Sequence, residues 1–129
     1  QVQRKHPGAR WLHGGCWGVD VWAGEAALSR GAEIGVYLPS LFAGFAGRWP
    51  ERCQAVLSRQ MLKSAEMWIA RPLYRVENYA IRNRKLVEAA DAVIAFFDGG
   101  PWGGTWQTIR FAKAAGKPVF NALGGWRRL

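Results

Sequence analysis

The stretch from Ala90 to Asn121, ADAVIAFFDGGPWGGTWQTIRFAKAAGKPVFN, constrains the fold of this chain more than any other. Ala92 to Phe97 is a short apolar run containing Val and Ile, bounded by Asp91 and by Asp98-Gly99-Gly100, which predicts a strand buried on both faces. Gly103-Gly104-Thr105 opens a segment in which Ile109, Phe111, Ala112 and Ala115 recur at helical spacing, until Gly116 stops it and Pro118-Val119-Phe120 starts another strand. The order is strand, glycine loop, helix, strand. Without side chains at Gly103 and Gly104 a ligand can approach the main-chain N–H groups. The positive end of the helix dipole adds about 0.3–1 kcal/mol for a nearby anion, so phosphate is the natural guest of such a phosphate-binding loop. No Lys-Ser or Lys-Thr pair follows the glycines, and the three-glycine dinucleotide fingerprint is absent, so neither a P-loop nor that fingerprint is met.

The same pattern occurs earlier. Arg10 to His13 predicts a brief strand, Gly14-Gly15-Cys16-Trp17-Gly18 a second glycine loop, and Val19 onward a helix. Its inward face is expected to hold Val19, Trp22, Ala23, Ala26 and Ala27, and Gly31 to end it. Glu33 to Leu38 alternates and predicts the next strand, closed by Pro39. A loop is expected up to Trp49-Pro50, a helix from Glu51 with Ala55, Val56, Arg59 and Leu62, and a strand over Glu66 to Ala70 that Arg71-Pro72 ends. From Asn78 a helix follows, with Tyr79, Asn83, Leu86, Val87 and Ala90 in one inward line and Arg82 and Arg84 flanking Asn83.

Strands separated by helices predict an α/β fold, a three-layer sandwich around a mostly parallel sheet. Ligands of such sheets bind beyond the carboxyl ends of the strands. Gly14 to Gly18, Arg82-Asn83 in the first turn after Tyr79, and Gly103 to Thr105 are therefore expected to meet at one rim.

At 129 residues and 50% hydrophobic, the chain has the size of one domain with one core. It has no run of eighteen apolar residues and no export-signal pattern, so no membrane association is expected and a cytoplasmic location is the default. Cys16 and Cys53 read as lone thiols, and His6 and His13 have no partners at ligand spacing and read as surface or strand-end histidines. No metal or other cofactor is called for. A net charge of +9 favours a polyanionic partner, although the cations are scattered (Arg4-Lys5, Arg82 to Lys85, Arg127-Arg128) and fit nucleotide and nucleic acid alike. Of eight tryptophans, Trp17, Trp102 and Trp106 lie in or beside glycine loops, where a ring can stack on a base. The chain begins at Gln1 without methionine, with a polar, helical lead-in through His6, and the start of the domain is read as missing.

Three pieces carry a family likeness: Gly14-Gly15-Cys16-Trp17-Gly18-Val19-Asp20; Arg82-Asn83 followed by Ala90 to Phe96; and Gly103-Gly104-Thr105 with Gly116-Lys117-Pro118-Val119. In this order they resemble the SLOG superfamily, a Rossmann-like group that includes the DprA/Smf proteins, the YspA and YpsA-type proteins and the cytokinin-activating phosphoribohydrolases. The resemblance covers the whole chain. It implies a single Rossmann-like domain over residues 1–129 that binds a nucleotide or nucleotide-derived ligand, as a sensor or processing module. By position, Gly14, Gly15, Gly18, Asp20, Arg82, Asn83, Gly103, Gly104 and Thr105 would carry the ligand. The family usually begins with a strand and a Gly-Ser or Gly-Thr loop that has no match here, so the first strand is expected to be lacking. A homo-oligomer is the expected assembly.

Catalysis is the open alternative. The phosphoribohydrolase branch has a glutamate three residues beyond the threonine, where this chain has Thr108. Asp20 and Arg82 are the weak catalytic candidates for an N-glycosidic hydrolase or transferase of nucleoside monophosphates. Asp20 reads better as a first-turn residue favourable to the helix dipole, and Asp98 as a turn residue. DprA-like DNA-binding, to a single strand, is the third reading, favoured by the basic balance and the aromatics.

Overall fold

The computed structural model describes residues 6–129; the helical lead-in expected over Gln1 to His6 lies, apart from His6, outside the described residues. The elements in order are β1 (Trp11–His13), α1 (Val19–Ser29), β2 (Ile34–Leu38), α2 (Phe42–Ala46), α3 (Glu51–Lys63), β3 (Glu66–Ile69), α4 (Glu77–Ala89), β4 (Val93–Ala95), α5 (Gly103–Ala114), β5 (Val119–Asn121) and β6 (Arg127–Arg128). The fold is α/β with parallel strands flanked by helices, as the alternation of elements predicts. The chain divides into two compact units, Gln1–Arg75 and Val76–Leu129.

In the first unit β1, β2 and β3 form a parallel sheet with β2 in the middle, in the register Trp11↔Ile34 and Gly35↔Glu66. All five residues of β2 are buried, so the strand expected to alternate is covered on both faces, as befits the centre of a parallel sheet. Ile34, Val36 and Leu38 pack with Val21 and Ala27 of α1 and Leu57 of α3. The face of α1 departs from expectation. Val21, Gly24 and Ala27 point inward, whereas Val19 and Trp22 are exposed. On α3 the buried residues are Cys53, Leu57 and Gln60, and Leu62 is exposed. Part of the loop expected before Trp49 is the short helix α2, whose Phe45 meets Trp49 edge to face.

In the second unit β4 and β5 are parallel, and β6 returns antiparallel to β5. Val87 of α4, Ala95 of β4, Ile109 and Ala112 of α5 and Val119 of β5 form the core. The strand expected over Ala92 to Phe97 is shorter and less covered. Of Val93–Ala95 only Ala95 is buried, and Phe96 is exposed beyond the strand's end. Lys117 closes the carboxyl end of α4: its Nζ donates to the carbonyls of Val87, Glu88 and Ala90 at 2.9, 2.8 and 2.5 Å. Both α1 and α5 end as their glycines foretell, with Ala32 N–H on Ala27 O and Lys117 N–H on Ala112 O at 3.0 and 2.9 Å, the Schellman pattern around Gly31 and Gly116.

Candidate functional site

The two glycine loops are built differently. In the first unit the chain leaves β1 at His13, turns through Gly14 to Gly18 and enters α1. Asp20, in the first turn of α1, folds its carboxylate back: Oδ2 accepts the N–H of Gly14 at 3.1 Å and that of Cys16 at 3.3 Å. The N–H between them, on Gly15, donates to His13 Nδ1 at 3.0 Å. An external phosphate on these amides would therefore have to displace Asp20. The same contacts give Asp20 a definite task, that of holding the loop against its helix.

The loop rests on a buried polar pair that the residue pattern does not announce. His13 Nδ1 accepts from Gly15, so the ring hydrogen sits on Nε2, facing Gln60 Oε1 at 2.8 Å. Gln60 Nε2 in turn donates to Val21 O at 2.8 Å and to Glu25 Oε2 at 3.2 Å. His13 is thus the expected strand-end histidine, but a buried one. Only Gly24 leaves room for the pair, since a Cβ there would strike the Gln60 carboxamide. Cys16 and Cys53 are both free thiols, the second buried. Trp17 is half exposed, its ring edge-on to Trp49 with centroids 6.2 Å apart.

The second unit carries an open cleft of about 290 Å³ at the carboxyl end of β4. Its walls come from Phe96, Phe97 and Asp98 after the strand, from Trp102 to Thr105 at the start of α5, and from Leu123 after β5. The chain passes from Trp102 into α5 at Gly103, whose φ of +84° a residue with a side chain rarely adopts. No side chain caps this helix start and its first turn holds no acidic residue. Its leading N–H groups have no partner within the helix, as at any helix beginning, and they border the cleft. A Cβ at Gly104 would meet only Asn83 Nδ2, at 3.8 Å.

Asn121 ties together two of the segments that line the cleft. Its Oδ1 accepts the N–H of Phe97 and of Leu123 at 3.0 and 3.1 Å, and its Nδ2 donates to Phe97 O at 2.9 Å. Asp98 forms the expected turn, with Oδ1 accepting Gly100 N–H at 3.0 Å. Trp102 is 74% exposed at the rim, whereas Trp106 stacks on Phe97 with centroids 5.6 Å apart and planes 14° off parallel.

Arg82 and Asn83 do not line the cleft. They lie in the second turn of α4, not its first, because the helix starts at Glu77. Both are buried. Arg82 Nε donates to Asn83 Oδ1 at 2.8 Å, and Asn83 Nδ2 donates to Gln107 Oε1 of α5 at 3.0 Å. The guanidinium carbon of Arg82 also lies 5.5 Å from the Tyr79 ring centroid. Asn83 thereby fastens the arginine turn to the first turns of α5, and Arg82 is not among the residues lining the cleft. Thr108 Oγ1 donates to Gly104 O at 2.9 Å, so the side chain at the position where the family likeness led to the expectation of a glutamate is bonded to its own helix. Sequence reasoning gives no contact to Gln107, Asn121, Lys117 or Gln60. Their long-range contacts span 24 to 47 positions and leave no local signal.

No helix among the described residues is long and apolar enough to cross a membrane. No model of a protein family matches the chain, and no curated protein matches it. The structure is similar to the X-ray structure of DNA processing protein A (DprA) from Streptococcus pneumoniae, with a TM-score of 0.65 and 19% sequence identity over 91% of this chain and 42% of that chain. The chain thus spans less than half the length of that protein. At this identity the likeness speaks for the fold alone: the chain has a Rossmann-like, DprA-like α/β fold.

Proposed function

We propose that the chain binds a nucleotide or nucleotide-derived ligand, with the phosphate at the amino end of α5 and the base against Trp102. One observation carries this reading. The uncapped helix start, the bare Gly103-Gly104 backbone and an exposed tryptophan border the same cleft at the carboxyl end of a parallel strand. The first-unit loop supports the chemistry, because its amides already hold an anion, the carboxylate of Asp20.

A thermal-shift screen of nucleotides tests it. A ligand present at a hundred times its dissociation constant adds about 2.7 kcal/mol to stability. Gly104→Leu is expected to abolish the shift with the fold intact, since the added Cβ enters open space beside Asn83. Trp102→Ala is expected to weaken binding by about 1–3 kcal/mol. A shift that survives Gly104→Leu would show that the phosphate sits elsewhere.

A second reading, single-stranded DNA binding, is favoured by the charge of +9 and by the likeness to a DNA processing protein. An N-glycosidic activity is the weakest of the three. Thr108 is no acid, Asp20 holds loop amides, and Arg82 is buried against Asn83. It predicts release of free base from nucleoside monophosphates, and absence of product with each common monophosphate removes it.

A further inference from the structure

We infer that the cleft selects guanine and that Asp98 reads the base, its carboxylate accepting the ring N1–H and one 2-amino N–H of a guanine laid on Trp102. The inference rests on the nucleotide reading above, from which it takes only the position of the base, and it names which base fits. Asp98 is the one ionisable residue in the cleft walls, beside Phe96, Phe97 and Trp102. Its carboxylate and the Trp102 ring flank the same bare backbone: a Cβ at Gly100 would come within 2.9 Å of the ring and 3.3 Å of Asp98 Oδ1. The two groups therefore lie within about a ring's width of each other. Trp102 is mostly exposed, so a flat heterocycle can be laid on it with its edge in reach of the carboxylate.

An ionised carboxylate only accepts hydrogen bonds, at about four lone-pair sites. The Gly100 amide takes one of them, on Oδ1 at 3.0 Å, which leaves capacity for a bidentate pair of donors. Guanine alone among the common bases offers two adjacent donors on its pairing edge. Adenine and cytosine set one amino group beside a ring-nitrogen acceptor, and uracil and thymine set one N–H between two carbonyls. Those acceptors would face the carboxylate and be repelled, so the donor pattern discriminates where size does not. At about 290 Å³ the cleft lies at the small end of ligand sites, with room for one base and its sugar. The exposed Arg127 and Arg128, opposite Asn121 and Phe120, add positive charge to the same unit and attract a phosphate whatever base it carries.

The test titrates the 5′-monophosphates of guanosine, inosine, adenosine, cytidine and uridine against the wild-type chain and Asp98→Asn. All five carry the same phosphate, so helix end and arginines act on them alike and the differences belong to the base. The substitution keeps an oxygen for the Gly100 amide, so the turn survives. The wild type is expected to bind the guanosine form about tenfold tighter than the adenosine, cytidine and uridine forms. The inosine form, which lacks only the 2-amino group, is expected to fall between them. Asp98→Asn is expected to weaken the guanosine form about tenfold and to bring it within about threefold of the adenosine form. A guanosine form bound no tighter than the others, or indifferent to Asp98→Asn, overturns the base selection and leaves nucleotide binding standing. Binding of none of the five removes the nucleotide reading itself. An oligothymidylate with one central guanine, run against its all-thymine parent, tells a base taken from a strand from one taken from a free nucleotide.

Discussion

Tyr37 lies in the fully buried strand β2, yet its hydroxyl reaches Glu66 on β3 and donates to Oε1 at 3.1 Å. Burial, then the hydrogen bond and charge of Glu66, raise the pKa of the phenol above its ordinary value, against a smaller opposing effect of Arg10. Arg10 bridges Glu33 and Glu66 at 3.3 and 3.2 Å, and the bond to Glu33 leads in raising its own pKa. The fold therefore favours the neutral phenol. Its stabilising effect is complete below the unfolded value of about 10 and is lost as pH climbs through the raised one. Urea midpoints taken at about pH 8 and about pH 11 should fall further for the wild type than for Tyr37→Phe. Equal falls would assign the alkaline loss to other groups. Asp20 shows at the same scale how little a residue's type says about its task. A carboxylate beside a glycine loop is a candidate base in the sequence, and in the fold it is the strap of that loop.

Among the elements, α4 depends on a residue 27 to 30 positions away from the carbonyls it closes. Lys117→Met removes the ammonium from the helix's last turn and is expected to destabilise the chain by about 1–3 kcal/mol in urea unfolding, with Lys117→Arg retaining part of it. A loss below about 0.5 kcal/mol would mean that water replaces the ammonium at no cost. The strands and long helices were legible because apolar runs and periodicity are local properties. The faces were less so. Val19 and Trp22 share the spacing of an inward stripe, but α1 turns Val21, Gly24 and Ala27 to the core. Two glycines in the helix and beside it blur the apolar count, and the choice falls to the fit of Gly24 against His13 and Gln60. Phe96 and Phe97 extend the apolar run of β4 in the same misleading way. They look like strand core and instead wall a cleft.

For the whole molecule, eighteen cations against nine acids predict a general attraction to polyanions. Association with single-stranded DNA is expected to weaken steeply between about 50 and about 200 mM salt, while a ligand held in the cleft by uncharged amides changes much less. A gel shift and a nucleotide thermal shift run across that range separate the two. Salt-insensitive DNA binding would count against the purely electrostatic account. Sequence alone determined the α/β alternation, the two strand–glycine–helix passages and the helix stops, because each is written in neighbouring residues. The tertiary structure alone decided which loop amides stay open. Asp20 reaches those of the first loop, and no side chain caps the start of α5. That difference lies in how a side chain folds back onto the backbone, and no spacing of residues records it.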